Sequence, residues 1–283
     1  MNIRTIRGFA IGGLLALAAS ASNAAFVDSW DYVLDLHWAN PSPNGAGVTL
    51  SSDARSLSWG YSGGDYHDVN QPQSLASSGL EITKTPATGA IATHADPNTK
   101  PGAVPVNIFT HYNNTISSGF TSLGTAQLVS TITLRPSDNA SVTAHTITTS
   151  FNVYFLESAN TNHNCVPSSQ SICDDVFAIA YSPINGSFEY DGVTYTFSYF
   201  DDPSLINPIS DAACSAAHAP TPCVGFLTPE KDHTTVQFAF SIRGGTVSPP
   251  PYQGGDVPEP GALALFGIGL AGLSALRRRR RRA

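Results

Sequence analysis

The sequence predicts an all-β fold, an antiparallel β-sandwich of jelly-roll type, and three observations carry the prediction. Residues 25–243 are rich in Thr, Ser, Gly, Asn, Pro and aromatics and poor in the Leu, Glu, Lys and Arg that fill helices. Several segments alternate apolar and polar residues with a period of two, which places one side of a strand in a core, and none has a long helical period. Turn-forming clusters separate these segments without helical crossovers, so neighbouring strands should run antiparallel.

In chain order, Trp30, Tyr32, Leu34, Leu36 and Trp38 alternate with Asp31, Val33, Asp35 and His37, a half-buried first strand with an apolar inner face. Pro41 to Gly47 reads as a loop, Arg55 to Trp59 as a short strand, and Tyr61 to Gln73 as an irregular Gly- and Asn-rich excursion. Leu80 to Thr83 is a further short strand, whereas Thr85 to Gly102 shows no assignable pattern. Val104 to Asn113 is extended, Ala126 to Arg135 alternates regularly, and Pro136 to Asn139 turns the chain. Ile147, Thr149, Phe151, Val153 and Phe155 form one face of the next strand. Asp175 to Tyr181 is almost continuously apolar, as expected of a central strand covered on both sides. Phe188 to Phe200 is a hairpin in which Asp191-Gly192 supplies the two positive φ values of a type I′ turn. Val236, Phe238, Phe240 and Ile242 should point inward on the last strand, with Gln237, Ala239 and Ser241 outward, before a Pro/Gly linker at 244–256.

Four cysteines lie in Pro- and Ser-rich loops as two close pairs. Three connectivities exist; each neighbouring pair brackets a loop that closes locally, which favours Cys165–Cys173 and Cys214–Cys223. Spacings longer than CxxC argue against zinc. Ser210 to Ala219 should make one or two helical turns inside its loop.

The termini belong to export and not to the fold. Arg4 and Arg7, the apolar run Phe9 to Ala19 and Ser22-Asn23-Ala24 make a signal peptide over residues 1–24. At the other end Val257-Pro258-Glu259-Pro260 precedes an apolar helix at 261–276 and six arginines, Arg277 to Arg282. That helix would be roughly 24 Å long at 1.5 Å per residue, a short transmembrane span, and Arg277, Arg278 and Arg279 hold its end on the cytoplasmic side. The two prolines keep the segment before it extended and open to a protease. Residues 25–257 carry Arg55, Lys84, Lys100, Arg135, Lys231 and Arg243 against roughly twenty Asp and Glu, so the exported part is near −14 where the whole chain reads −7. A domain that acidic repels phosphate backbones, which excludes nucleic acid as a partner.

Pro258-Glu259-Pro260, the apolar helix and the basic end resemble the PEP-CTERM sorting signal of Gram-negative bacteria. The resemblance implies an inner-membrane intermediate, recognition by an exosortase, loss of the helix, and transfer to the cell surface or the extracellular polysaccharide matrix. The competing reading is a plain C-terminal anchor that is never cut. Thr110-His111-Tyr112-Asn113, with the early Trp/Tyr strand, Cys173-Asp174-Asp175, the Gly192 to Phe200 strand and Gly225-Phe226-Leu227-Thr228, is similar to the THxN family of PEP-CTERM proteins, whose activity is uncharacterised. Alternation places His111 and Asn113 on one strand face and Thr110 on the other, either to bind a metal or sugar hydroxyl or to fix a loop through backbone hydrogen bonds.

Three chemistries are open for the domain. Gly60-Tyr61-Ser62-Gly63-Gly64 matches G-x-S-x-G, but a hydrolase elbow needs a helix after it, and Asp65 to Gln73 will not make one. Asp174-Asp175 and Asp201-Asp202 are acidic turns suited to calcium, the one cofactor considered, although neither follows the regular calcium-loop spacing. Trp59, Tyr61 and Tyr66 beside Gly63-Gly64 could stack on a sugar as an exposed platform. The expected function is a structural or adhesive surface component associated with exopolysaccharide and without catalysis. A carbohydrate-binding module, calcium-dependent or not, is the alternative, followed by a matrix-processing hydrolase.

Overall fold

The computed structural model describes residues 26–43, 47–95, 102–160, 165–166, 169, 173–180, 185–199 and 206–245. The signal peptide, the transmembrane helix at 261–276, the sorting signal and Asp201-Asp202 lie outside the described residues. All described residues belong to one compact unit, 1–247.

The strands are β1 (Ser29–Ser42), β2 (Val48–Leu50), β3 (Ser56–Gly60), β4 (Ser77–Thr83), β5 (Ala87–His94), β6 (Val104–Asn113), β7 (Thr125–Pro136), β8 (His145–Leu156), β9 (Asp175–Ala180), β10 (Asn185–Tyr190), β11 (Val193–Tyr199) and β12 (Asn207–Pro208). A short helix, α1 (Asp211–Ala216), precedes β13 (Cys223–Thr228) and β14 (Asp232–Gly244). The fold is all-β. One layer runs β12-β13-β9-β8-β7-β1-β5; the other runs β14-β6-β4-β3-β2, with β11 and then β10 added along the second half of β14. Strand β5 joins the layers, antiparallel to β1 through Ser29↔Ala92 to Leu34↔Ala87 and parallel to β14 at Ile242↔Thr93. That short parallel pairing departs from the purely antiparallel expectation.

The layers face each other across an aromatic core. On β1 the five alternating apolar side chains are buried, and they meet the second layer: Trp30 packs edge-on to Phe188, Tyr190 and Tyr195, Tyr32 to Phe240, and Trp38 to Phe109. Each such pair is worth about 0.5–1.5 kcal/mol beyond the apolar area it removes from water. A second, smaller cluster covers the other side of β9, where Val176 and Ala178 pack with Ala213, Cys214, Ala217 and Cys223. This is why β9 is apolar on both faces. Ser210 caps α1, its hydroxyl accepting the Ala213 N–H, and Cys214–Cys223 ties the helix to the start of β13. Cys165–Cys173 closes the loop before β9, so both disulfides have the expected pairing. The β10–β11 turn holds Asp191 at φ 48° and Gly192 at φ 77°, as its type requires.

Four local expectations are corrected. β1 continues through Pro41 to Ser42, because pairing on β7 carries it past the proline. β4 begins at Ser77, three residues before its apolar signal, where Ser77↔Gly60 already pairs. Strand β5 lies inside the stretch that showed no pattern; only Ile91 of it is buried, so the edge of β1 dictates its extension and its own periodicity does not. On β14 a register irregularity between Gln237 and Ala239 breaks the alternation, and Ala239 and Ser241 are buried with Phe238, Phe240 and Ile242. No described helix is long and apolar enough to cross a membrane.

Candidate functional site

Strand pairing gathers acidic groups from three distant parts of the chain at one end of the sandwich. Asp175 opens β9 in register with Thr228, the last residue of β13, and Asp232 at the start of β14 is in register with Asn113 at the end of β6. The turn joining β13 to β14 carries Glu230, and Glu157 is the first residue after β8. Glu157, Asp175 and Glu230 therefore converge, each offering a carboxylate oxygen within 4.8 Å of the others. Asp175 is fully buried and the two glutamates are partly so.

Part of each carboxylate is held. The Trp59 indole donates its Nε1–H to Glu157 Oε2 at 2.6 Å, the Ser158 backbone N–H donates to Asp175 Oδ1 at 2.8 Å, and the Thr115 hydroxyl donates to Glu230 Oε2 at 2.8 Å. The Asn160 amide abuts the Glu230 carboxylate. Asn113 donates its Nδ2 to the Thr228 carbonyl at 3.0 Å, bracing the β13–β14 turn. His111 is fully buried between Trp59, stacked at 5.8 Å, and Phe155, edge-on at 5.0 Å. Its Nε2 lies 3.8 Å from Asp175 Oδ2, beyond hydrogen-bond reach. Glu157 Oε1, Asp175 Oδ2, both His111 ring nitrogens, Asn113 Oδ1 and Thr228 Oγ1 are buried without a hydrogen-bond partner among the described residues.

Burial controls the charges. It pushes Glu157 up to about 8, with the neighbouring Glu230 charge adding to the shift and the Trp59 N–H only partly opposing it. Burial and then the Glu157 charge hold Asp175 well above the usual carboxylate range, and burial raises Glu230 against hydrogen bonds from Thr115 and Asn113. His111 is driven down to about 3 by burial, so its ring is neutral and cannot compensate the acids. Two like charges at such a separation repel by roughly 3–4 kcal/mol at an effective dielectric of about 20. The cluster must therefore share protons or take up a cation.

A cleft of about 460 Å³ adjoins the cluster, lined by Gln73, Ile116, Ser117, Phe120, Glu157 and Asn160 among others. Glu157 belongs to both.

The residues singled out by sequence reach different places. His111 and Asn113 face the cluster, while Thr110 lies on the opposite strand face with its hydroxyl 3.1 Å from that of Thr235. Asp174 is buried, not a solvated turn, and Asp175 joins acids remote in sequence and not its neighbour. The exposed platform of Trp59, Tyr61 and Tyr66 does not assemble. Trp59 is core; Tyr61, 39% exposed, tilts against Phe120, and Tyr66 packs on His67 and Tyr112. Alternation along β3 with Leu57 turns the Trp59 ring inward. Gly60 to Gly64 forms a tight turn closed by the Gly64 N–H on the Tyr61 carbonyl, with no helix after it, so the elbow geometry is absent there. Glu157 and Glu230 were missed. Nothing in sequence relates acids so far apart; their one signal is their place at strand ends in a segment poor in Glu.

The family model of the PEP-CTERM protein-sorting motif matches residues 256–281. No curated protein matches the chain.

Proposed function

We propose that the β-sandwich is a structural or adhesive component of the cell surface or extracellular matrix, associated with exopolysaccharide and without catalysis of its own. The observation that carries the reading is the sorting motif at 256–281, which implies an exported protein processed by the membrane enzyme exosortase. Two disulfides suit an oxidising destination. The Thr110-His111-Tyr112-Asn113 signature adds a resemblance to the THxN group of such proteins, and with it a surface destination. Mass spectrometry of the protein isolated from its native envelope tests the assignment: the chain should end near Val257, and recovery of peptides carrying Arg277 would leave only a plain membrane anchor.

A second reading, carbohydrate binding, is favoured by the cleft. Phe120 with Tyr61 against it supplies an apolar rim, and Gln73, Ser117 and Asn160 supply the amides and hydroxyls that recognise sugar hydroxyls. A glycan array probed with the processed protein separates the two readings. Saturable binding lost on Phe120→Ala identifies a module; absence of binding to any glycan leaves the scaffold.

A further inference from the structure

The three converging carboxylates stand beside buried polar atoms that have no hydrogen-bond partner among the described residues. We infer that Glu157, Asp175 and Glu230 form a calcium site beside the cleft, backed by His111 and Asn113.

The cluster alone would prove little, since acidic groups often gather without an ion. His111 is a separate observation: it is not an acid, it is fully buried, neither of its ring nitrogens has a hydrogen-bond partner among the described residues, and its Nε2 faces Asp175 Oδ2 at 3.8 Å. Asp175 Oδ2 and Glu157 Oε1 beside it receive no donor from any other described residue and can bond each other only by sharing a proton. A divalent cation would gain these oxygens as ligands and remove the repulsion among the acids together.

The donor set selects the ion. Three carboxylates offer hard oxygen ligands, the preference of calcium, which completes six to eight positions with carbonyls or water. Zinc or copper would want several imidazoles or thiolates; one histidine is present here, and all four cysteines are in disulfides.

The carboxylates are also held from behind, as ligands of a built site are. Trp59 fixes Glu157 and Thr115 fixes Glu230. Ser158 fixes Asp175 through its N–H and donates its hydroxyl to the Cys173 carbonyl, so the Cys165–Cys173 bridge steadies the same corner. The cleft reaches the cluster at Glu157, one of the residues that line it. This inference stands whether the domain serves as scaffold or as carbohydrate module.

The experiment uses protein purified from its host and stripped with a chelator. Calcium should raise the thermal midpoint by roughly 5–10 °C at about a hundredfold excess over Kd, with one ion bound per chain. Asp175→Asn should weaken binding at least about tenfold, while its calcium-free midpoint should not fall below that of the wild type, because the neutral amide keeps the side-chain shape and adds no charge to the crowded acids. Glu230→Gln, on a partly exposed turn, provides the same readout if the first variant fails to fold. Asp53→Asn, on an exposed turn away from the cluster, should keep the wild-type response. The inference is overturned if stripped wild-type protein neither binds calcium nor gains stability at about 10 mM, a concentration that saturates even weak extracellular sites. It is equally overturned if either cluster variant keeps wild-type affinity, or if only manganese or zinc binds and His111→Gln abolishes it.

Discussion

Tyr199 links the two layers through a single hydroxyl, 2.8 Å from that of Ser130 in the facing sheet. Burial pushes its phenol up to about 12 from an ordinary value of 10. The folded chain therefore keeps a proton that the unfolded chain releases. The associated stability is fully present below pH 10 and is lost as pH rises through 12, by roughly 2–3 kcal/mol in all. Tyr199→Phe should cost about 1 kcal/mol at neutral pH, from the hydrogen bond lost at Ser130, and between pH 10 and 12 the gap to wild type should close and then reverse, because the wild type alone loses the larger phenol contribution. Urea unfolding across that range reads it; a gap constant with pH would mean that the phenol is not desolvated. The THxN signature can be divided at the same scale. Asn113→Ala removes the amide that holds the Thr228 carbonyl in a buried corner and should cost about 1–3 kcal/mol. Thr110→Ala loses only a hydroxyl contact on the other face and should cost about 1 kcal/mol or less. Equal losses would show that the two faces of β6 do not differ as their packing says.

At the scale of the element, strands that carry their own alternation can be read from sequence, and strands that borrow their conformation cannot. Phe238 is buried on β14 beside Phe109 at 4.1 Å, and Gln237 is half-exposed. Phe238→Asp should abolish the folded state, because it buries an unpaired charge, while Gln237→Asp should shift the unfolding midpoint little. Comparable loss in both, read by circular dichroism, would refute the inward assignment of Phe238. A close approach of backbones gives a second test. A Cβ at Gly225 on β13 would collide with the Phe177 carbonyl on β9, so Gly225→Ala should separate the pair or cost more than about 3 kcal/mol. β1, β7 and β8 were legible because one face of each meets the core, whereas β5 was not, since its extension comes from hydrogen bonds to β1. The disulfides were legible because both loops close locally. The acidic corner was legible only in part. Asp175 belonged to a visible acidic pair and His111 to a visible signature, but Glu230 reaches them through the β9–β13 and β6–β14 registers. Those registers are set by tertiary pairing, which no local pattern records. Trp59 drew notice as an aromatic beside glycines, and its role proved to be a buried donor to Glu157.

At the scale of the whole molecule, the expected membrane span and the matched sorting motif assign two physical tasks, insertion and processing, to different residues. Hydrophobic length and positive charge govern insertion, and they would come from the apolar run at 261–276 and from Arg277 to Arg282, whereas Pro258-Glu259-Pro260 would contribute to neither. Replacing that tripeptide by alanines should leave insertion intact and stop release, so that full-length protein accumulates in the inner membrane while the wild-type domain is found outside. Neutralising Arg277 to Arg282 should disturb the other step: without the positive flank the short span has no fixed orientation, and the tail should slip or invert before any enzyme can act on it. Fractionation with protease protection distinguishes the two defects, because the alanine variant should expose its β-domain on the outer side of the inner membrane and the arginine variant should show mixed topology. Release of the alanine variant at the wild-type rate would mean that Pro258-Glu259-Pro260 is not what the processing enzyme reads. Identical fractionation of both variants would mean that the tail does not separate insertion from processing at all.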